Sequence, residues 1–122
     1  RAAAVAYAKK QVLARKPYIW GTQGPNSFDC SGLVLWAWGH AGVYLPHNSQ
    51  SQFSAVIRIN PRELQPGDLI FHLKGSNGSY RHVALYVGNG KIIQALRTGD
   101  VVIRSPISQS WMLPQAYGRV RV

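Results

Sequence analysis

The chain contains one cysteine, Cys30, inside the run Phe28-Asp29-Cys30-Ser31-Gly32. The apolar stretch Leu33 to Trp38 follows it directly. This pattern puts the thiol at the start of a helix. Unpaired N–H groups and a partial positive charge at a helix N-terminus favour a thiolate over a thiol. A thiolate nucleophile needs a base beside it, and the base needs a partner to orient it. Four histidines offer that base: His40, His47, His72 and His82. His40 lies ten residues along the same predicted helix, about 15 Å away at the usual rise, which is too far. His47 falls in the turn after that helix, and His72 on a predicted strand between Phe71 and Leu73. His82 begins a predicted strand beside the loop Gly75 to Ser79. Strand ends beside loops commonly carry catalytic groups. That puts His82 first and leaves His47 and His72 open. The chemistry indicated is nucleophilic cysteine catalysis.

The elements that must position these residues follow from patterning. Residues 1–15 are rich in Ala, with apolar Val5, Ala8, Val12 and Leu13 at helical spacing. Pro17 is the expected stop. Asp29 is placed to cap a helix over 30–41, which Gly42 ends. Ser49 is the expected cap of a short helix through Gln52 to Ala55. Strands are expected over 69–73, 82–87, 91–96, 101–104 and 117–122. Gly88-Asn89-Gly90 reads as a hairpin turn. Trp20 reads as a core aromatic. Helices first, then hairpin-linked strands, indicate an α+β fold with an antiparallel sheet.

At 122 residues the chain suits one domain, 1–122. Its residues 1–16 form an N-terminal helix that is either the start of that domain or the end of a longer upstream region. No apolar run approaches the roughly 20 residues needed to cross a bilayer. The first residues show no signal-peptide cleavage pattern. One cysteine excludes an internal disulfide and a multi-cysteine zinc site. Fourteen Lys and Arg against four Asp and Glu give a formal charge of +10, which predicts attraction to polyanions. The bases are scattered and no nucleic-acid module is recognisable, so no specific nucleic-acid partner is expected. An anionic cell wall suits the charge better.

Five segments together resemble the NlpC family of papain-like cysteine peptidases that cut bacterial peptidoglycan. They are Tyr18-Ile19-Trp20-Gly21, Phe28 to Val34, Leu45-Pro46-His47-Asn48-Ser49, Leu64 to Phe71, and His82 to Gly90, in the family's order. The resemblance spans residues 8–122. It implies a papain-like fold, with N-terminal helices packed on an antiparallel sheet and the nucleophile at a helix N-terminus. It implies Cys30 as nucleophile and His82 as base. The family's third residue lies on the next strand and is usually a histidine. Here that position is Gln94, a departure. A glutamine carbonyl can accept the imidazole N–H, though it stabilises an imidazolium less than a carboxylate would.

The resemblance further implies substrate-binding roles for Tyr18, Asp29 and Ser31, with Asp29 gripping a free amino group of the peptide. His47 is either a turn residue or an edge of the cleft. Arg81 is either a solvated loop charge or a contact for an anionic substrate. The implied reaction is cleavage of stem-peptide amide bonds, typically D-glutamyl to diaminopimelate, with no metal and no cofactor. The implied partners are peptidoglycan stem peptides and anionic wall polymers. The implied location is extracytoplasmic, and the expected state is a monomer. The alternatives are a catalytically silent wall-binding module of the same fold and a phage- or toxin-borne lysin.

Overall fold

A computed structural model describes residues 1–109 and 112–122. Three helices come first: α1 (Ala2–Leu13), α2 (Cys30–His40) and α3 (Ser49–Ala55). Strand β1 (Ile57–Arg58) and a 3-10 turn (Pro61–Glu63) lead into β2 (Leu69–Lys74), β3 (Tyr80–Gly88), β4 (Lys91–Gln94), β5 (Ile103–Pro106) and β6 (Ala116–Arg119). The strands form one antiparallel sheet in the order β1-β6-β2-β3-β4-β5. The α+β expectation holds. Strand β1 and the 3-10 turn had no signal strong enough to predict them. Strand β5 starts two residues later than expected and runs through Ser105.

Helix α1 forms because its Ala-rich sequence has high intrinsic propensity. It buries Ala4, Val5, Ala8 and Gln11 along one stripe. Its stop is Arg15 rather than Pro17. Arg15 adopts φ +52°, and its N–H reaches Val12 O while Lys16 N–H reaches Gln11 O. Those two bonds satisfy carbonyls that the helix end leaves open. Helix α2 is apolar nearly all round and is the central helix of the core. Leu33, Val34, Ala37 and Trp38 are buried there with Leu69, Phe71, Val83, Leu85 and Ile93 from the sheet. A smaller cluster of Ile70, Ala84 and Ile92 packs with Leu64, Tyr86, Ile107 and Tyr117. Helix α3 is capped by Asn48, whose side chain accepts from Ser51 N, and not by Ser49. The Ser49 hydroxyl instead donates to Tyr80 O at 2.6 Å, tying α3 to β3.

Every Asp and Glu side chain has a partner within the chain. Asp68 is buried and accepts two bonds from the Arg119 guanidinium, at 2.9 and 3.0 Å, which ties β6 to the turn before β2. Glu63 accepts from Asn60 N, and Asp100 sits 3.5 Å from Arg97. Asp29 is committed at the site described next.

Candidate active site

Helix α2 begins beside the segment Pro17 to Gln23, which is strapped to Phe28 and Asp29 by backbone bonds. Phe28 N donates to Pro17 O, Ile19 N to Phe28 O, and Asp29 N to Thr22 O. Asp29 then holds the junction through its side chain. Its Oδ1 accepts from Gly32 N at 2.7 Å, from His47 Nε2 at 2.8 Å and from Ser31 Oγ at 3.4 Å. Its Oδ2 accepts from Gly21 N at 2.9 Å. One carboxylate thus caps α2 and joins it to two loops. The cap expectation holds, and the four donors account for a carboxylate's usual accepting capacity.

Cys30 occupies the first position of α2. Its Sγ lies 3.9 Å from Arg81 O, and the Val83 N–H also points at the sulfur. The thiol therefore rests against the backbone on either side of His82. Its acidity departs from the expectation of a favoured thiolate. Burial pushes the Cys30 pKa up from its ordinary value, and the Asp29 charge adds to that rise. The N–H groups of Val83, Ser31 and Cys30 pull the other way but do not win.

His82 is buried on β3. Its Nε2–H donates to Gln94 Oε1 at 2.8 Å, and Gln94 Nε2 donates to Ser105 Oγ at 2.9 Å. Burial pushes the His82 pKa down to about 4, with the Gln94 bond opposing. At neutral pH the resting pair is thus a neutral thiol and a neutral imidazole. Because Nε2 carries the proton, Nδ1 is the free base nitrogen.

A bulge brings Gln94 to this histidine. Gly88 pairs with Lys91, but Tyr86 pairs with Ile92 and Leu85 with Ile93, so β3 carries one extra residue at Val87. The register beyond it sets Gln94 beside Ala84, two residues from His82 and on the same side of the pleat. Without the bulge, Gln94 would stand opposite Leu85 and face the other way.

A cleft of about 870 Å³ opens over the thiol. Tyr18, Asp29, Cys30, Ser31, His47 and Arg81 all line it. His82 and Gln94 are buried and do not line it. Trp20 is on the rim at 82% exposure and not in the core. Burial raises the Tyr18 pKa, with Cys30 and Asp29 adding, so its hydroxyl is a donor at neutral pH. Nothing in α1 lines the cleft. Of the other histidines, His40 stacks on Trp36 and Tyr7, and His47 bonds Asp29.

His72 is the unanticipated neighbour. It is the cross-strand partner of His82, with ring centroids 5.4 Å apart. It is fully buried, and neither ring nitrogen has a hydrogen-bond partner. Burial and the adjacent His82 push its pKa down to about 3. The unfolded chain binds protons on both histidines near the ordinary 6.5, whereas the folded protein does not until about 4 and about 3. Stability is therefore full above pH 6.5 and falls as pH drops through that window. Thermal melts from pH 7 to pH 4 should show this loss, and His72→Leu should flatten it. An unchanged slope in His72→Leu would clear His72 of the effect. Ser105 has no motif to single it out, and nothing near His72 in the chain marks it, one of the candidate bases, as a buried neighbour of His82. Only the register of four strands puts them next to His82 and Gln94.

Comparison with known proteins places these features in a family. The model of the NlpC/P60 family matches residues 15–121. The protein named probable endopeptidase p60 of Listeria monocytogenes is 42% identical over 92 residues, covering 75% of this chain and 19% of that protein. The peptidoglycan endopeptidase RipB of Mycobacterium tuberculosis is 38% identical over 111 residues, covering 80% of this chain and 45% of RipB. The chain thus spans less than half the length of these relatives. The crystal structure of the NlpC/p60 domain of peptidoglycan hydrolase SagA superposes with a TM-score of 0.83 at 32% identity, covering 98% of this chain and 97% of that one.

Proposed function

The chain belongs to the NlpC/P60 family, and on that premise we propose that it hydrolyses amide bonds in the stem peptides of peptidoglycan by cysteine catalysis. The observation that carries this reading is the sole cysteine on the floor of an open cleft, against the backbone that flanks a His82–Gln94 pair. The names of the Listeria and mycobacterial relatives support the substrate class.

In the proposed reaction Cys30 gives its proton to His82 Nδ1 as sulfur bonds to the amide carbon. The neutral resting pair makes this transfer part of the attack, since no thiolate stands ready. The carbonyl oxygen takes the displaced electron pair and is held by N–H groups at the start of α2. As the carbon–nitrogen bond breaks, His82 returns the proton to the leaving amine. Water then attacks the thioester, gives its proton to His82, and releases the acid. The proton passes back to sulfur. Gln94 steadies the imidazolium in each half-reaction by accepting its Nε2–H.

The bond we propose is D-glutamyl to diaminopimelate. The wall polymers that match a formal charge of +10 are anionic. The matching location is extracytoplasmic, and no step requires a second copy of the chain. Tyr18 and Ser31 contact the stem, Arg81 and His47 edge the cleft, and Asp29 frames it through the four donors already on its oxygens. The test is digestion of diaminopimelate-type peptidoglycan with the fragments identified by mass. New fragments ending at D-glutamate are expected. Sedimentation with the wall and no new fragments would make this a silent binding module.

Gln94→Ala should lower kcat on such peptides about 10²-fold, within the usual span for a general-base contribution, and leave KM within about twofold. The reason is that Gln94 touches the base and not the cleft. A kcat equal to wild type would remove Gln94 from the mechanism.

A further inference from the structure

The row that begins at His82 does not end at Gln94. His82 on β3, Gln94 on β4 and Ser105 on β5 form a line of side chains across three successive strands. Ser105 stands opposite Ile92, and Gln94 opposite Ile103, so Ser105 and Gln94 are diagonal neighbours on one side of the pleat. All three are buried. The third position is a carboxamide, and a carboxamide has a defect that a symmetric carboxylate lacks. It can turn over about its last torsion, exchanging a carbonyl for an NH₂ with almost no change of shape.

We propose that Ser105 is a positioning residue for the catalytic base, holding the Gln94 amide with its oxygen toward His82. The proposal rests on the cysteine-peptidase reading above and adds a residue to it. Two steps lead to it. With Oε1 toward His82, the ring must carry its proton on Nε2, and Nδ1 keeps the lone pair that receives the thiol proton. With the amide turned over, NH₂ would face the ring, the neutral ring would carry its proton on Nδ1, and no base would remain on that side. Once His82 becomes an imidazolium, a turned amide would meet it N–H against N–H.

The Ser105 oxygen accepts one amide N–H at 2.9 Å, so in the productive orientation that N–H is paired. Without that hydroxyl the productive orientation loses the partner of that N–H, whereas the turned one keeps an N–H bonded to His82 Nε2 and loses the partner of its carbonyl. Buried interiors tolerate an orphaned carbonyl better than an orphaned N–H. Loss of Ser105 therefore favours the wrong orientation in the resting protein.

The test uses Ser105→Ala, Ser105→Thr, Gln94→Ala and the Ser105→Ala/Gln94→Ala pair. The first readout needs no substrate: the tautomer of His82 from ¹⁵N NMR of the imidazole at neutral pH. Wild type and Ser105→Thr should hold the Nε2–H form, and Ser105→Ala should show a mixture with the Nδ1–H form. The second readout is kinetic. Ser105→Ala should lower kcat about tenfold, the scale of one buried donor left unpaired, with KM within about twofold and recovery in Ser105→Thr. Adding Ser105→Ala to Gln94→Ala should cost no further kcat. A pure Nε2–H tautomer in Ser105→Ala, or an equal kcat loss in the Gln94→Ala background, would overturn the proposal. Should wild type cleave no peptidoglycan while the tautomer responds as expected, the peptidase reading fails and the positioning role stands. A Tm for each variant separates these effects from unfolding.

Discussion

Cys30→Ala should give a folded protein whose hydrolysis of stem peptides is lower by about 10⁴-fold or more, the scale of removing a covalent nucleophile. The change deletes one sulfur atom at the first position of α2. It leaves the cap intact, because Asp29 bonds Gly32 N and Gly21 N through its own carboxylate. Alanine also has higher helix propensity than cysteine, and the site is only half-buried. The thermal midpoint should therefore move by no more than a few degrees. Digestion of purified peptidoglycan by wild type and variant in parallel, with circular dichroism of both, checks the two halves of the statement. Clear residual turnover in the pure, folded variant would mean that water or another group attacks the amide, and the mechanism would fall.

Gly32→Ala should do more damage to the fold than the loss of the nucleophile two positions before it. Gly32 has helical backbone angles, so conformational freedom is not the reason for a glycine here. Space is. A Cβ on Gly32 would lie 2.1 Å from Thr22 O, 2.8 Å from Asp29 Oδ1 and 2.9 Å from Gln23 Cα. Two of those atoms are backbone, and Thr22 O is itself bonded to Asp29 N at 2.9 Å. Neither can give way unless α2 parts from the segment that runs beside Tyr18. The expected cost is at or above about 3 kcal/mol, the upper end for overpacking, and the separation would also carry Cys30 away from Arg81 and Val83. Thermal melts should show a drop of many degrees together with loss of activity. A Gly32→Ala protein that melts within a few degrees of wild type would show that this close approach is not a constraint.

The readability of the site divides along one line. Much that depends on near neighbours in sequence could be read: Asp29 as the cap, Cys30 at the helix start, Gly42 as the stop, and Asn89-Gly90 as the turn, where both residues indeed adopt positive φ, whereas the stop of α1 and the cap of α3 fell on Arg15 and Asn48 rather than on Pro17 and Ser49. Of what depends on which strand residues stand side by side, only Gln94 beside His82 could be read, through the resemblance. The extra residue at Val87 has no mark in the sequence, yet it decides that Gln94 and His82 share a face. The neighbourhood of His72, which leaves its ring buried and unpartnered, was invisible for the same reason. So was the reach of β5 to Ser105. Trp20 was misplaced because an indole normally belongs inside, and only the strap between Pro17 and Asp29 shows it turned to the rim. The thiol was misjudged for another reason. The helix N-terminus does lower its pKa, but burial and the adjacent carboxylate raise it more.

The internal commitment of all four carboxylates matters outside the molecule as well. Acids placed among surface cations normally break up the electric field of a basic protein. Here Asp68 is buried under the Arg119 guanidinium and Asp29 in a helix junction, while Glu63 caps a turn and Asp100 pairs with Arg97 at the surface, and the formal charge stays at +10. The field that leaves this surface is therefore largely of one sign. Such a field draws the protein toward a negatively charged matrix from a distance of about one Debye length, ~8–10 Å at physiological ionic strength. Its reach shrinks as salt rises. Dissolved salt, acting far from Cys30, would thus set how long the molecule lingers on such a matrix.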